Sequence, residues 1–431
     1  MNTSAGWESV LLKDFVYYQE GPGIRNHQNT TEGVKFLNIR CFVNGRLETS
    51  TMKHVSEEEA FGKYKHFLLD EGDYVVSSSG TLGRIAEVYA EDLPVLLNTS
   101  TIRFRPLDEN KLDRRYLRYF LESDSFQQQI QKLATGSVQL NYGPSHLAFV
   151  EMPLPSIQEQ RFIGTVLENI TKQIELNTNL SKSLEAIAQS IFMSWFIDFD
   201  PVYAKMKGEK PLGMDRLTAS MFPDELVSSG LGMIPESWEV KPLNQLLSLH
   251  KKIQVAGEET ERLPYVPIDQ ISPRTVFLQK SLSGELAKTS LVRFEKLDIL
   301  FGAMRPYFHK VAIAPFSGVT RTTTFVLRPM IRESLFFGLF TVFQERAIDY
   351  ATNHSQGTTI PYASWTNSFE NFPFVQPSDR LVSKFNEIVS PLIEYGQSLL
   401  SQNETLTNLR DLLLPRLISG ELQIPVEMLE S

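Results

Sequence analysis

Two long segments of the chain carry mainly apolar residues at alternating steps of three and four positions. After Ile157, the first segment contains no Pro and a single Gly as far as Phe199. Its regular positions are Gln160, Ile163, Leu167, Ile170, Ile174, Asn177, Ser181, Leu184, Ala188 and Ile191. Those of the second segment are Leu381, Phe385, Ile388, Leu392, Tyr395, Leu399, Gln402, Leu406, Leu409 and Leu413. Sustained heptad spacing predicts two long helices that bury a shared seam.

Each predicted helix would be a rod roughly 60 Å long, at about 1.5 Å per residue. Asn177 and Ser181 interrupt the apolar seam, and we expect them to set its register at a cost in stability. Phe192, Trp195 and Phe196 form an aromatic cluster that favours packing against a globular region over contact with a partner protein. The alternative to a paired seam is that the two helices are buried separately, each in the core of a globular domain.

The remaining chain contains two globular regions that repeat each other. Trp7 corresponds to Trp238, Asp73 to Asp298, Arg105-Pro106 to Arg328-Pro329, Gly136 to Gly357, and Phe149 and Pro153 to Phe369 and Pro373. The offset drifts steadily from 231 to 220, as small deletions in a duplicated unit would produce. Within the first region, residues 72–88 predict a strand, a turn and a strand, residues 99–106 a strand, and residues 112–133 one or two helices.

These observations predict an α+β tandem repeat with pseudo-twofold symmetry. Two mixed α/β domains would be separated by two long antiparallel coiled-coil helices. The predicted ranges are 1–152 for the first globular domain, 153–199 for the first long helix, 200–230 for a linker with little regular structure, 231–375 for the second domain, and 376–431 for the second long helix and tail.

Composition and charge narrow the class of protein. The chain has 431 residues, one cysteine and no apolar run near the roughly 20 residues that span a bilayer. The first ten residues lack the regions of a signal peptide, so we expect a cytoplasmic protein. Of the net charge of −9, residues 1–152 contribute −4, residues 231–375 contribute +2, and the remainder contributes −7. Much of the acidity therefore lies outside the globular regions, which leaves room for local basic surfaces.

No constellation of catalytic residues is apparent. The stretch "SSGTLGR" (Ser78–Arg84) lacks the lysine of a phosphate-binding loop, so a turn between strands is favoured. An adenine methylase motif is missing, and "FPDEL" (Phe222–Leu226) lacks the acidic-x-Lys continuation of a nuclease motif. The histidines and the cysteine show no metal-ligand spacing. These motifs therefore supply no candidate for catalysis or for a bound metal.

Several motifs resemble a known family. They are "LPSIQEQRFIG" and "LEAIAQSIFMSWFIDFDPV" on the first helix, "GMIPESWEVKPLNQLL" and "LDILFGAMRPYFHKVAIA" in the second globular region, and "LRDLLLPRLISGEL" near the end. Together with "EGDYVVSSSGTLGRIAEV", they give the chain a resemblance, over its whole length, to the specificity subunits of type I restriction–modification systems. One departure is Leu297-Asp298, where the family usually has Gly-Asp, and we interpret it as a local difference in the turn.

The resemblance implies that the two globular regions are target recognition domains for double-stranded DNA. Each would recognise a few base pairs of a split target, and the paired helices would fix the gap between them. It further implies docking of two modification subunits that methylate adenine N6, and of restriction subunits that form a translocase and nuclease. S-adenosylmethionine, ATP and magnesium would then belong to those partners and not to this chain.

DNA recognition requires polar or basic side chains on loops that can reach a groove. In the first region we expect such contacts from Ser78, Ser79, Thr81, Arg84, Ser137, Gln139 and Asn141. In the second region we expect them from Lys251, Lys252, Arg305, Tyr307, His309, Lys310, Gln356, Thr358, Thr359 and Tyr362. The alternative is that these are structural turns and solvated loops.

Two other functions remain open from the sequence. A DNA-binding protein that works alone would not co-purify with a modification subunit. A coiled-coil scaffold would bind proteins and no nucleic acid. The sequence excludes neither function, because it shows no strongly basic stretch that would mark a DNA-binding surface.

Overall fold

The structure, a computed structural model, describes residues 6–43, 45–135, 140–288, 290–357 and 359–429. The chain divides into two compact units. The first unit comprises Met1–Ile174 and Thr405–Ser431, and the second comprises Glu175–Glu404. Each unit contains one of the predicted globular regions and a part of each long helix.

The first unit contains strands and helices in the order that the sequence predicts. Its strands are β1 (Glu8–Leu11), β2 (Val16–Glu20), β3 (Val34–Phe36), β4 (Phe42–Val43), β5 (Arg46–Leu47), β6 (Lys53–Val55), β7 (Tyr74–Ser77), β8 (Ile85–Glu87), β9 (Val95–Leu96), β10 (Thr101–Pro106) and β11 (Glu151–Leu154). Its helices are α1 (Glu57–Phe61), α2 (Arg114–Glu122), α3 (Asp124–Leu133), α4 (Pro144–Leu147) and the beginning of α5 (Ile157–Phe196). The strand–turn–strand at 72–88, the strand at 99–106 and the helices at 112–133 are confirmed.

The main sheet of the first unit is antiparallel, with strand order β2-β10-β7-β8. Successive side chains of a strand point to opposite faces, and both faces of β7 are buried. Tyr74 and Val76 face one core, which includes residues of α2 and α3. Val75 faces a second core together with Ala86 of β8. A continuous apolar strand is therefore required here, and the sequence supplies one.

The second unit repeats this arrangement. Its strands are β12 (Leu226–Ser229), β13 (Gly232–Pro235), β14 (Glu239–Pro242), β15 (Leu247–His250), β16 (Ile253–Gln254), β17 (Pro264–Tyr265), β18 (Leu282–Ser283), β19 (Leu291–Phe294), β20 (Ile299–Gly302), β21 (Val311–Ile313), β22 (Gly318–Arg321), β23 (Thr324–Pro329), β24 (Ser355–Gln356), β25 (Tyr362–Ala363) and β26 (Pro373–Gln376). Its helices are the end of α5, then α6 (Asp200–Met206), α7 (Arg216–Ser220), α8 (Glu258–Glu261), α9 (Leu335–Phe343), α10 (Glu345–Asn353) and α11 (Asp379–Ile418).

The sheet order β15-β23-β20-β21 matches that of the first unit strand for strand, and β14 pairs with β26 as β1 pairs with β11. On β20, Ile299 and Phe301 face one core and Leu300 faces another, as on β7. The long helices α5 and α11 each have 40 residues. The tandem repeat inferred from scattered sequence matches is thus confirmed by the order of the elements.

An ion pair explains two of those sequence matches. Asp73, which precedes β7, receives two contacts from Arg105 of β10, at 2.8 Å from Nε and 2.9 Å from Nη2. Asp298, which precedes β20, receives the same two contacts from Arg328 of β23, at 2.6 and 2.9 Å. Because both carboxylates are buried, these arginines compensate their charge, and Asp73 has a further contact with Arg103 at 3.4 Å.

The turn before each of these aspartates is alike in the two units. Gly72 has φ of 86° and Leu297 has φ of 73°, so both adopt the left-handed conformation. The interpretation of Leu297-Asp298 as a different local turn is therefore wrong. The second unit keeps the turn and accepts a leucine in a backbone conformation that favours glycine.

The segment 200–230, predicted to have little regular structure, instead contains α6, α7 and β12. Asp215 caps α7 by accepting a hydrogen bond from the Thr218 amide at 2.8 Å. Phe222 is buried, and its ring centroid lies 5.3 Å from that of Trp195. Glycine and proline content predicted a linker, but the apolar residues of the segment are anchored in the core of the second unit.

The two long helices pack together within each unit. In the second unit they run antiparallel, because Asn177 contacts Asn403 through a hydrogen bond of 3.0 Å and Phe192 lies 5.8 Å from Phe385. In the first unit, Ile163 and Leu167 of α5 share a core with residues 413–418 of α11. The aromatic cluster at the end of α5 belongs to the core of the second unit, as predicted.

The seam is only partly where the heptads predict it. Ile163, Leu167, Leu381, Phe385 and Leu399 are buried; Ile170, Ile174, Leu184, Ile191, Ile388, Leu392, Leu406 and Leu413 are half-buried. Leu409 is 42% exposed and Tyr395 is 52% exposed, so their placement in the seam is wrong. In the second unit, the buried face of α11 continues through Val389, Ile393, Gly396 and Asn403.

The shift has a physical reason. In the second unit, α11 packs against globular elements as well as against α5, so its buried face is displaced by one position from the predicted seam, and Val389, Gly396 and Asn403 keep the seven-residue spacing. Gly396 shows this close packing. A Cβ atom there would lie 2.5 Å from Cζ of Phe277 and 3.3 Å from Oγ of Ser181.

Replacing Asp298 by Asn removes the charged acceptor of Arg328, and we expect the free energy of unfolding to fall by about 2 kcal/mol. Urea denaturation followed by tryptophan fluorescence measures this, because Trp195, Trp238 and Trp365 all lie in the second unit. Glu295→Gln is the matched control. Glu295 also contacts Arg328, at 3.3 Å, but it is 58% exposed, so we expect a change below about 1 kcal/mol. Equal effects of the two substitutions would contradict the structural role of Asp298.

Candidate nucleic-acid interface

Three connections meet at one edge of the first unit. They are residues 78–84 between β7 and β8, residues 98–101 at the beginning of β10, and, after α3, residues 134–135 and 140–142; we call them the first loop cluster. The Ser78 amide donates to the Ser100 carbonyl at 2.8 Å, and the Tyr142 amide donates to the Ser78 carbonyl at 3.1 Å. Ser79 also pairs with Asn141 as an isolated β-bridge. The backbone therefore holds three polar loops side by side.

The corresponding connections meet in the second unit. They are residues 303–310, residues 321–324, and residues 355–357 with 359–363, which we call the second loop cluster. The Ala303 amide donates to the Thr323 carbonyl at 2.9 Å, and the Arg305 amide donates to the Pro361 carbonyl at 2.8 Å. Met304 forms the bridge with Tyr362 that Ser79 forms with Asn141 in the first unit. The two clusters are thus equivalent parts of the repeat.

The charge of both clusters sets them apart from the chain as a whole. Neither contains an Asp or a Glu, although the chain has 51 such residues. The first loop cluster carries Arg84, and the second carries Arg305, Lys310 and Arg321. Exposed hydroxyl and amide groups surround them, at Thr81, Thr99, Asn141, Gln356, Thr322 and Thr359. Acid-free loops with these side chains suit phosphate oxygens and base edges.

Within the first loop cluster, the structure exposes Thr81, Arg84 and Asn141 and half-buries Ser79. The prediction that the Ser78 side chain faces DNA is wrong. It is 1% exposed, because the backbone of Ser78 bonds to both neighbouring loops. Ser137 and Gln139 lie outside the described residues. The DNA contacts of the other four residues stay predictions.

Within the second loop cluster, Tyr307, Gln356 and Thr359 are exposed and Arg305 is half-buried. The half-buried Tyr362 donates its hydroxyl to the Thr322 carbonyl at 2.7 Å. Burial raises the pKa of that hydroxyl. Thr358 lies outside the described residues.

Two of the basic side chains predicted here are turned inward. His309 is 4% exposed, with its ring centroid 4.6 Å from that of Phe343, so its predicted contact with DNA is wrong. Burial lowers the pKa of the His309 imidazole, which favours the neutral ring. Lys310 donates its ammonium to the Ile268 carbonyl at 2.9 Å, which occupies that group with a structural bond.

The side chains of Lys251 and Lys252 are exposed. The hydrogen bond of their backbone leads to a strand outside the second loop cluster. The Lys252 carbonyl accepts from the Arg293 amide at 3.0 Å, which ties this segment to β19.

The sequence interpretation missed one of the three connections in each cluster. This connection contains Thr99 in the first cluster and Arg321 and Thr322 in the second. A signal existed, because "TSTIRFRP" and "TTTFVLRP" were matched as repeats and begin at these turns.

A buried glutamate on α5 positions part of the second unit. Glu185 accepts from the Val276 amide at 2.6 Å and from the Thr275 hydroxyl at 2.9 Å. Burial raises the pKa of this carboxyl group. The adjacent Arg274 donates its amide to the His309 carbonyl at 2.9 Å, at the end of the turn that the second loop cluster contributes. Helix α5 is therefore connected through two contacts to the candidate interface.

Across the described ranges, the side chains of His, Cys, Asp and Glu form no group of three that could hold a metal ion. In the same part of the chain, every helix is too short or too polar to cross a membrane.

Comparisons with known proteins agree with this architecture. A family model described as the type I restriction modification DNA specificity domain matches residues 4–186. The type I restriction enzyme MjaIX specificity subunit of Methanocaldococcus jannaschii is 28% identical over 319 residues, which cover 72% of this chain and 69% of that relative. The HindI specificity subunit of Haemophilus influenzae is 25% identical over 317 residues, covering 63% of this chain and 69% of that relative.

Among solved structures, the S subunit of a type I restriction-modification system from M. genitalium superposes with a TM-score of 0.59. It covers 97% of both chains at 17% identity, so it supports the fold. Residues 4–186 thus match the DNA specificity domain of type I restriction–modification systems, and the chain is similar to the specificity subunits of these systems.

Proposed function

We propose that the chain is the DNA-recognition subunit of a type I restriction–modification complex and performs no chemistry itself. It binds a target in two parts, one at each loop cluster, with unrecognised base pairs between them. The observation that carries this proposal is the pair of equivalent, acid-free loop clusters, one in each unit. Since the clusters differ in sequence, the two parts of the target differ as well.

The long helices fix the number of base pairs between the two parts. A helix is a stiff spacer, and the polar contact of Asn177 with Asn403 favours one register of the pair. The proposal gives the domains predicted from the sequence, 1–152 and 231–375, the role of target recognition domains. It assigns the segments 153–199 and 376–431 the role of spacer.

Two modification subunits and the restriction subunits are the proposed protein partners, with double-stranded DNA as the ligand. On α5, Leu176, Leu180 and Ile187 lie on one face and are 63%, 42% and 49% exposed. An apolar helical face of this kind suits a helix of a modification subunit. S-adenosylmethionine, ATP and magnesium would be held by the partners, and the assembled complex would act in the cytoplasm.

The proposal predicts separate effects of the two clusters on recognition. Affinity falls as salt concentration rises. Arg84→Gln and Arg321→Gln should each make the slope of log affinity against log salt concentration less steep by about one, because each removes one phosphate contact. Fluorescence anisotropy of the complex with its modification subunit measures this, on a duplex selected from a random library. Lys182→Gln, at an exposed position of α5, is the matched control and should leave the slope unchanged.

Equal slopes for both variants and the control would contradict the assignment of the loop clusters. Absence of any DNA binding by a stable complex would favour a scaffold. Full DNA binding by a chain that never associates with a modification subunit would favour a DNA-binding protein that works alone.

The length of the helices gives a second prediction. Inserting seven helix-forming residues after Ile174 and seven after Glu404 lengthens both helices by about 10 Å, at about 1.5 Å per residue. The gap in the selected target should grow by about three base pairs, at 3.4 Å each, while both recognised parts stay the same. As a control, seven residues inserted after Gly208, where a Cβ would meet no atom within 4 Å, should leave the gap unchanged. An unchanged gap after the helix insertions would contradict the spacer role.

A further inference from the structure

We propose that Tyr307 and Phe308 form an aromatic wedge that enters between stacked base pairs of one part of the target. The inference rests on the proposed function, since it specifies how the second loop cluster contacts DNA. It adds a distortion of the duplex, at one place only, to the contacts that the loop clusters make with phosphates and base edges.

The first observation is the exposure of two adjacent aromatic rings. Tyr307 is 47% exposed and Phe308 is 48% exposed. Their ring centroids lie 4.8 Å apart. They occupy the tip of a 3-10 turn, Pro306–Phe308, whose first residue is buried. A single exposed aromatic residue is ordinary, but two neighbouring rings at the tip of one turn form a continuous apolar surface.

The second observation is the rigid base on which the rings stand. Arg305 and His309 flank the turn with φ of 52° and 51°, a left-handed conformation that non-glycine residues adopt at an energetic cost. The turn is fixed by the bond of the Arg305 amide to the Pro361 carbonyl and by that of the His309 amide to the Pro306 carbonyl, both 2.8 Å. The buried ring of His309 anchors its end against Phe343. Rings presented on a preorganised turn lose little conformational entropy when they insert.

The third observation is the charge around the rings, which favours DNA over an apolar protein surface. The second loop cluster contains Arg305, Lys310 and Arg321 and no acidic residue. Outside the cluster, Glu345 of α10 contacts His309 at 3.5 Å and is paired with Arg274. An apolar tip on loops that carry arginine and no carboxylate suits a polyanion whose interior is made of stacked bases. Proteins that kink DNA insert residues such as Phe, Leu or Ile between base pairs, within a rim of groups that bind phosphate.

The first loop cluster lacks this feature. Its equivalent turn contains Gly80 and Gly83, with φ of 72° and 76°, and its one large apolar residue, Leu82, packs against the core. Unstacking should therefore occur only in the part of the target that the second loop cluster contacts. It should fall at a TA or CA/TG step, because these pyrimidine–purine steps unstack at the lowest cost.

Permanganate oxidation of thymines tests the wedge, because unstacked thymines react and TA and CA/TG steps each have a thymine on at least one strand. The complex with its modification subunit is bound to a duplex selected from a random library. The double variant Tyr307→Ala/Phe308→Ala is compared with the unchanged chain and with Leu286→Ala. Leu286 is 58% exposed and lies outside the loop clusters, so it controls for loss of exposed apolar surface.

For the unchanged chain and for Leu286→Ala, we expect one hyperreactive step in one part of the target. The double variant should lose that signal and bind the duplex at least several-fold more weakly, with an unchanged thermal midpoint. Phe308→Trp, which preserves stacking, should keep the signal. Reactivity opposite the adenines that the modification subunits extrude should appear in both parts and persist in all variants.

An unchanged permanganate pattern in the double variant would overturn the proposal. If that variant kept the pattern but lost the modification subunit, the rings would be a protein contact, and the wedge would again be rejected. Absence of DNA binding by the unchanged complex would instead overturn the proposed function, and the wedge with it.

Discussion

Both units depend on the burial of the ends of the two long helices. The first core holds Ile163 and Leu167 from the beginning of α5, together with Leu417 and Ile418 from the end of α11. The second core holds Phe192 and Phe196 from the end of α5, together with residues from the beginning of α11. Each helix is therefore part of two hydrophobic cores. Because the apolar residues must be buried at both ends, neither helix can turn about its axis without exposing a core.

This constraint connects the helices to the candidate interface in the second unit. Glu185 lies on α5 and holds the backbone of Val276, and the adjacent Arg274 holds the end of the turn that carries Tyr307. A buried carboxyl group that bonds a backbone amide costs free energy if that amide moves away. The loops that we propose to recognise DNA are therefore positioned by the same helix that we propose to set the gap. Recognition and spacing then depend on one element.

The repeat could be predicted from the sequence because the matched residues have structural roles that both copies need. Asp73 and Asp298 must each meet an arginine, and the two Arg-Pro pairs that were matched contribute those arginines. The two long helices were also predictable, since heptad spacing runs through both segments, although Pro391 and Pro415 lie within the second. The heptad pattern was a weaker guide for α11. A residue such as Tyr395 fits the heptad but is exposed, because the globular part of the unit also competes for the buried face.

The candidate interface was harder to predict in detail. Its loops are polar, and polarity alone does not distinguish a side chain that faces solvent from one turned inward. His309 is inward because the left-handed turn places its ring against Phe343, and neither feature is visible in the letters "AMRPYFHK". Arg321 was missed because its connection is brought beside residues 303–310 by the pairing of β20 with β23, which are separated in sequence.

The central claim, that two loop clusters recognise two parts of one target, is tested most directly by mapping N6-methyladenine in DNA. The chain would be expressed with its modification subunit in a host whose DNA carries no other adenine methylation, and single-molecule sequencing would locate the modified bases. We predict methylation of a single asymmetric target in which two short specific parts are separated by a fixed number of unspecified base pairs. Methylation within one continuous sequence would contradict the claim.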